Sequence, residues 1–544
     1  MKILKGKSVY QDICQGPLCF REAGAVNVGK RTVEDRESEC RRFAEVRHLA
    51  RLKLQELHTQ AVEQVGVANA EVFEVHRMLL EDPEFVQGVE ALIRTQGINL
   101  EYAIKLHADK LEQTFLSMEE EVWRERAGDM QDVAGLLLRE LQTENAAEQD
   151  DSILVPYILV ADDLLPSETV QLSKEKVLGL IMRRGSLQSH TAIFARSMGI
   201  PAVVGVGEEL TADYAGMTAV IDGFEDVVYI EPDEHTEEKM RAKKIHLENR
   251  KEELLDLIGQ DNETMDGKRI KLLANAGTLA DVERAVACDA GGVGLLRSEI
   301  LYLGREEAPN EELQFAFYKE VLEKMRGKEV IVRTLDVGAD KELPYLKLAK
   351  EENPALGLRG IRIGLKQPEL LKTQLRALYR AGVYGKLSVM YPMITSLTEV
   401  RRLHVIREEV KQELEKEGIP YAKEIPTGIM IETPAAVMLS EELAKEVDFF
   451  SVGTNDLAQY TTALDRQNDS LAEFDDMKYT AVFKMIEMAC NNAHKAGIPI
   501  GICGELAADS TFTERFLRMG IDELSVAPER ILPLRKCIRN LNMS

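Results

Sequence analysis

The chain has 544 residues, 45% of them hydrophobic and 30% charged, enough apolar sequence for roughly two to four domains with sizeable cores. Its 93 acidic residues outnumber 68 basic ones; the resulting net charge of -25 argues against nonspecific binding to nucleic acid or an anionic membrane and favours a basic protein partner. Seven cysteines, at 14, 19, 40, 288, 490, 503 and 537, show no CxxC spacing, Met1 to Lys7 has no apolar stretch behind it, and no apolar run approaches the ~20 residues of a membrane span. Reduced thiols and a cytoplasmic location are expected, without export or membrane insertion.

Residues 1–25 contain SVYQDICQGPLCF, broken by Gly16 and Pro17, and read as strands and turns too short to stand as a domain. From 26 to 146 the pattern is helical, with Phe43, Val46, Leu49, Leu52 and Leu54 giving a periodic apolar face, so a helical bundle is expected. Within it, EVFEVHRMLLEDPEF sets Glu71, Glu74, Asp82 and Glu84 around Met78, Leu79 and Leu80, with His76 between them. An apolar strip with an acidic rim suits a basic protein surface, although an ordinary amphipathic helix has the same pattern and His76 reads equally as packing. From 147 to 230 come β-rich runs such as ILVPYILVADDL, VLGLIM, PAVVGV, MTAVIDG and DVVYIEP, with a helix expected at Ser167 to Leu172. This is an α/β domain, completed by residues 1–25, which makes the helical module an insertion.

Inside that domain GSLQSHTAIFARSMGIPAVVGVG passes from a Gly/Ser loop into a helix that starts at His190 and stops at Gly199 and Pro201. Free N–H groups and the positive end of the helix dipole converge on His190, which favours a bound anion and a neutral, nucleophilic imidazole. A capping or turn role is the alternative. Residues 231–258, acidic at the start and basic further on, read as a solvated linker helix or a peripheral helix of the next domain.

The stretch 259–544 alternates short apolar runs with helical patterns, as a (β/α)8 barrel does. The expected strands are RIKLLANA, GVGLLRS, VIVRTLDV, GIRIG, LSVMYPM, GIMIET, FFSVGTND and IPIGICGE. Asn275, Arg297, Glu299, Arg333, Asp336, Glu432, Asn455, Asp456, Cys503 and Glu505 fall at strand C-terminal ends, the face on which barrels carry active sites. Arg297 and Arg333, with Arg359 and Arg466, offer guanidinium forks for phosphate and carboxylate oxygens, or else surface ion pairs. Glu432 and Asp456 make a hard-oxygen pair suited to Mg²⁺, or cap helices. Cys503, between glycines, either meets a reacting carbon or is a small buried hydrophobe.

SHTAIFARSMGIPAVVG resembles the phosphohistidine segment shared by Enzyme I of the sugar phosphotransferase system, phosphoenolpyruvate synthase and pyruvate phosphate dikinase. GVGLLRSEILYLGR, VIVRTLDVGADK, NPALGLRGIRI, GIMIETPAA, SVGTNDLAQYTTALDR and GICGELAAD resemble the barrel of the Enzyme I family in that family's order, and VADDLLPSETVQL and EVFEVHRMLLEDPEF extend the likeness over nearly the whole chain. The chain has no room for the ATP-grasp domain of the synthase and dikinase. The resemblance implies an α/β multidomain enzyme with a C-terminal barrel and an N-terminal phosphohistidine domain carrying an inserted helical bundle. It implies transfer of phosphate from phosphoenolpyruvate to His190 and on to a histidine-containing phosphocarrier protein. It gives Arg297, Arg333 and Arg359 the substrate's anionic groups, Asn455 and Arg466 the orientation of the phosphoryl group, Glu432 and Asp456 Mg²⁺, Cys503 the enolate proton, and Thr169 the orientation of His190. It also implies a homodimer through the barrel, and docking of the carrier on Glu71, Glu74, His76, Met78, Asp82 and Glu84. One departure stands out: GSLQSH replaces the usual GGRTSH, so an arginine is missing before the histidine. A synthase or dikinase relative, and a noncatalytic phosphoenolpyruvate sensor signalling through its helical module, are the other readings.

Overall fold

The Val- and Ile-rich runs on either side of the helical module pair into one eight-stranded sheet. Its strands are β1 (Lys2–Lys5), β2 (Lys7–Tyr10), β3 (Ile13–Phe20), β4 (Tyr157–Ala161), β5 (Val177–Met182), β6 (Ala202–Val204), β7 (Thr218–Asp222) and β8 (Val227–Ile230). The order is β1-β8-β7-β3-β4-β5-β6-β2, parallel from β3 to β6 and antiparallel at both flanks. Strand β4, YILVA, is buried throughout, as a central parallel strand covered on both faces must be. This is a computed structural model; it describes residues 1–21, 28–65, 67–118, 121–141, 155–162, 164–173, 175–187, 189–303, 305, 307–338, 343–349, 351–465, 468, 471 and 478–544, with backbone alone at 63–65, 67–69, 121–126, 190, 344, 478 and 479.

Between β3 and β4 the chain forms five helices, α1 (Arg36–Val65), α2 (Val67–Glu81), α3 (Pro83–Gln96), α4 (Leu100–Leu116) and α5 (Glu121–Glu140). On α1 the buried residues are Cys40, Phe43, Val46, Ala50, Leu54, Leu57 and Ala61, which recur at three- and four-residue steps. Leu49 and Leu52, expected on the same face, are half-exposed because they lie off that stripe. The bundle core also takes in Val170 and Phe194 from the α/β domain, so the insertion and its host share apolar packing. Two short helices follow the bundle, α6 (Pro166–Thr169), shorter than the sequence pattern suggests, and α7 (His190–Met198). A long helix, α8 (Glu234–Leu255), comes after β8, and the division of the chain into two compact units, Met1–Asn249 and Arg250–Ser544, falls within it.

The second unit is a closed barrel of eight parallel strands, β9 (Lys271–Ala276), β10 (Gly292–Arg297), β11 (Glu329–Arg333), β12 (Leu387–Tyr391), β13 (Thr427–Ile431), β14 (Phe449–Val452), β15 (Ile500–Ile502) and β16 (Glu523–Val526). Seven of the expected strands are present and one is not. GIRIG enters a helix, Ile361–Lys366, behind Gly360, whose φ of 54° turns the chain out of any strand. The eighth strand is instead ELSV at 523–526, four buried residues that pair with β9 and β15 to close the ring. Leu295, Ile331, Met390, Met430, Phe449 and Cys503 pack together inside the barrel, so its lumen is filled rather than open.

Candidate active site at the barrel mouth

Parallel strands deliver their C-terminal residues to one rim, and at this rim they carry charge. Arg333 ends β11, and its guanidinium forks between two carboxylates: one Nη donates to Glu299 and the other lies 2.9 Å from Asp336. Glu299 sits in the short turn that follows β10. Arg359, in the loop before the Ile361–Lys366 helix, reaches Asp336 and Asp456 at 3.4 Å each and donates to the Tyr460 hydroxyl at 3.0 Å. Asp336 therefore bridges the two arginines. Burial alone would lower both guanidinium pKa values, but the surrounding carboxylates outweigh it and hold both above their ordinary range. Gly360 permits this closeness: a Cβ there would lie 3.0 Å from Asp336 and 2.8 Å from the Met393 side chain.

Glu432, just past β13, is 0% exposed. Its Oε1 accepts from the Met393 N–H at 2.5 Å, whereas Oε2 is buried without a hydrogen-bond partner. Burial, then Asp336 and Asp456, push its carboxyl up to about 8 against the pull of Arg333. Asp456 occupies the first turn of the Thr454–Thr462 helix, and Gly453 before it leaves no room for a Cβ, which would stand 2.9 Å from Glu432 Oε2. Asn455 and Glu505 exchange hydrogen bonds, Nδ2 to Oε1 at 3.1 Å and the Glu505 N–H to Oδ1 at 3.2 Å. Cys503 follows β15, is 4% exposed, and points its Sγ at the Val452 carbonyl 3.6 Å away. Burial pushes this thiol up to about 11, so it keeps its proton at neutral pH. Arg297 ends β10 and is exposed; Arg466 lies outside the described residues.

In the first unit, Ser189 caps α7 by accepting from the Ala192 N–H at 3.3 Å, and Gly199 ends the helix in the left-handed conformation. His190 is the first helical residue; its side chain and Gln188 lie outside what the structure describes. The Thr191 hydroxyl donates to the Leu164 carbonyl at 2.7 Å, tying the start of α7 to the residues ahead of α6. Thr169 is fully buried on α6, its hydroxyl donating to Leu165 at 3.0 Å.

Three family models match this chain: the PEP-binding domain of PEP-utilising enzymes over 251–543, their N-terminal domain over 5–126 and their mobile domain over 155–226. Proteins named phosphoenolpyruvate-protein phosphotransferase match it almost end to end. One from Bacillus sp. (strain S) is 41% identical over 94% of this chain and 88% of its own length, and one from Bacillus subtilis (strain 168) is 38% identical over 100% and 95%. A third, from Haemophilus influenzae, is 40% identical over 94% and 89%. The chain belongs to the phosphoenolpyruvate-protein phosphotransferase family.

For a member of that family the metal question is one of fit. Among the described residues no three His, Cys, Asp or Glu groups converge tightly enough to hold an ion unaided. Glu432 and Asp456 nonetheless fit a divalent cation that takes its remaining oxygens from substrate and water, because the orphaned Glu432 Oε2 needs a positive partner. Tyr460 was not singled out in the sequence; the signal was its place four residues after Asp456, on the same helical face.

The docking candidates of this phosphotransferase fare unevenly. Met78 is 68% exposed, and Glu71 and Glu84 are exposed. Glu74 pairs with Arg77 at 2.8 Å, and Asp82 is the N-cap of α3, accepting from the Glu84 N–H at 2.7 Å. Substituting such a cap by alanine costs about 1 kcal/mol whatever the residue does for a partner. His76 is corrected outright as a surface residue: it is 1% exposed, because α2 turns Val72, Phe73, His76 and Leu80 inward together.

Proposed function

We propose that this phosphotransferase moves the phosphoryl group of phosphoenolpyruvate onto its own His190 and then to a histidine-containing phosphocarrier protein, as the first step of sugar uptake. The observation that carries the reading is the buried fork of Arg333 and Arg359 among Glu299, Asp336 and Asp456, beside Glu432 and Cys503. Phosphoryl transfer depends on in-line placement and on neutralising oxygen charge, and two guanidiniums already fixed in place provide that without reorganising. With Arg297, they would hold the substrate's phosphate and carboxylate, while Asn455 and Arg466 orient the group in flight. Mg²⁺ on Glu432 and Asp456 would supply further charge neutralisation.

In the transfer, a ring nitrogen of His190 forms a bond to phosphorus as the bond from phosphorus to the enol oxygen breaks. The enolate released in this way takes a proton at its methylene carbon from the Cys503 thiol and leaves as pyruvate; water reprotonates the sulfur. A thiol held neutral by burial suits a donor to carbon. Thr169 would fix the ring of His190 for attack. Because His190 belongs to Met1–Asn249 and the arginines to Arg250–Ser544, we infer that the first unit, including the phosphohistidine domain (1–25 with 147–230) and its insertion (26–146), alternates between the barrel (259–544) and the carrier about the 231–258 segment. The resemblance to Enzyme I supports a homodimer through the barrel. Seven cysteines without a disulfide, and the absence of any helix among the described residues able to span a membrane, support a cytoplasmic location.

Intact mass after mixing with phosphoenolpyruvate and Mg²⁺, without ATP, tests this. An acid-labile phosphoryl adduct is expected on the wild type and none on His190→Ala; an adduct on the variant would remove His190 from the mechanism.

A further inference from the structure

His76, withdrawn from the surface, is an ionisable side chain buried in an apolar bundle, and such burial is costly unless every polar atom finds a partner. Its ring lies between two carboxylates of α5, with Nε2 3.1 Å from Asp129 and Nδ1 3.6 Å from Asp132. Asp132 is itself 1% exposed, and it faces away from the bundle as well as into it. One of its oxygens accepts from the Ser167 N–H at 3.1 Å and the other from the Ser167 hydroxyl. Arg139, two helical turns on, donates to the same hydroxyl at 3.1 Å. Ser167 lies on α6, two residues before Thr169.

A second contact runs beside this polar one. Phe73, three residues before His76, meets Phe194 of α7 edge to face at 6.4 Å between centroids. The inner face of α2 is thus keyed to both short helices of the phosphohistidine site, through His76 and Asp132 to α6 and through Phe73 to α7. Its outer face presents Met78 and Glu71.

We propose that His76 and Asp132 are positioning residues for the second phosphoryl transfer, holding α2 in register with α6 and α7 so that a carrier docked on the outer face of α2 presents its histidine in line with phosphorylated His190. This rests on the reading of α2 as the docking helix. Neither residue touches the phosphoryl group. An apolar contact alone leaves a helix free to slide or rotate by small amounts, whereas a buried His76 hydrogen-bonded to Asp129 and set against Asp132, which itself holds Ser167, is satisfied in one register only. Misplacement by about 1 Å costs up to a hundredfold in such a transfer, so the register is worth its desolvation.

The test uses the full chain, phosphoenolpyruvate with Mg²⁺, and the histidine phosphocarrier of Bacillus subtilis. For His76→Gln and Asp132→Asn, adduct formation from phosphoenolpyruvate is expected to stay within about twofold of wild type, as is the carrier concentration at half-saturation, while the saturating rate of transfer to the carrier falls roughly tenfold or more. Ser167→Ala, which keeps the backbone N–H on Asp132, should lose less. Leu111→Ala, a cavity elsewhere in the same bundle, controls for general loosening and should lower Tm without changing that rate. Unchanged saturating transfer in His76→Gln and Asp132→Asn, or an equal loss in Leu111→Ala, would overturn the proposal. A Met78→Asp variant that left half-saturation unmoved would strike the docking reading beneath it, and the two failures are distinguishable because only the second concerns half-saturation.

Discussion

The barrel holds two buried carboxyls pushed to the same height, one at each end. Glu432 at the mouth and Glu523 at the opposite rim both rise to about 8, and in both the largest cause is burial. Their neighbours differ. Glu432 has Arg333 and Arg359 nearby, an oxygen without a partner, and Cys503 beside the same strand ends. Glu523 opens β16 and fills the space left by Gly294 and Gly501, with Lys271 and Glu329 paired at 3.1 Å near it. One carboxyl stands where the proposed substrate charge would be met, and the other plugs the floor of the barrel. A displaced pKa therefore marks burial first. Function is marked by what converges on the group.

Substitutions at the two ends sharpen this contrast. The largest effect is expected from Arg333→Lys, which keeps the positive charge but cannot fork between Glu299 and Asp336. Steady-state assays with phosphoenolpyruvate and carrier should show kcat/KM down roughly a thousandfold, by analogy with removal of one fixed donor at a charged transition state. Activity near wild type would mean that charge alone, not the fork, is used. Cys503→Ser is next: turnover to pyruvate should drop roughly a hundredfold while substrate binding, measured calorimetrically, stays nearly unchanged, since the proton donation proposed for it comes only after binding.

The smallest effect on activity, essentially none, is expected from Glu523→Gln, yet the variant should change how stability responds to pH. Folded Glu523 keeps its proton up to about 8, whereas its ordinary value is 4.5. Between those values unfolding releases a proton, so the stability this carboxyl contributes is present below 4.5 and is lost as pH rises through about 8. Denaturant midpoints across that window should slope less steeply downward in Glu523→Gln than in wild type. If the variant instead lost activity with no change in that slope, the two ends of the barrel would not divide their labour as described.

Much of this was legible in the sequence because it depends on local pattern. Seven strands declare themselves by runs such as GVGLLR and TGIMI, and the polar residues behind them fall at the mouth because parallel strands end on one side. The helix start at His190 follows from the Gly/Ser loop before it and Gly199 after it. Tertiary structure decided the rest. GIRIG alternates like a strand yet becomes a helix, since Gly360 turns the chain against Met393 and Asp336; ELSV is too short to announce itself and becomes a strand because the ring needs an eighth member. The roles of Glu299 and Asp336 in clamping Arg333 exist only in space, for nothing in their spacing says which guanidinium each will hold. His76 shows the same limit most plainly. Its sequence neighbours Glu74, Met78 and Asp82 suggest a surface, but the rotation of α2 about its axis is set by Phe73 and Leu80 entering the core, and that rotation carries His76 inward to Asp129 and Asp132.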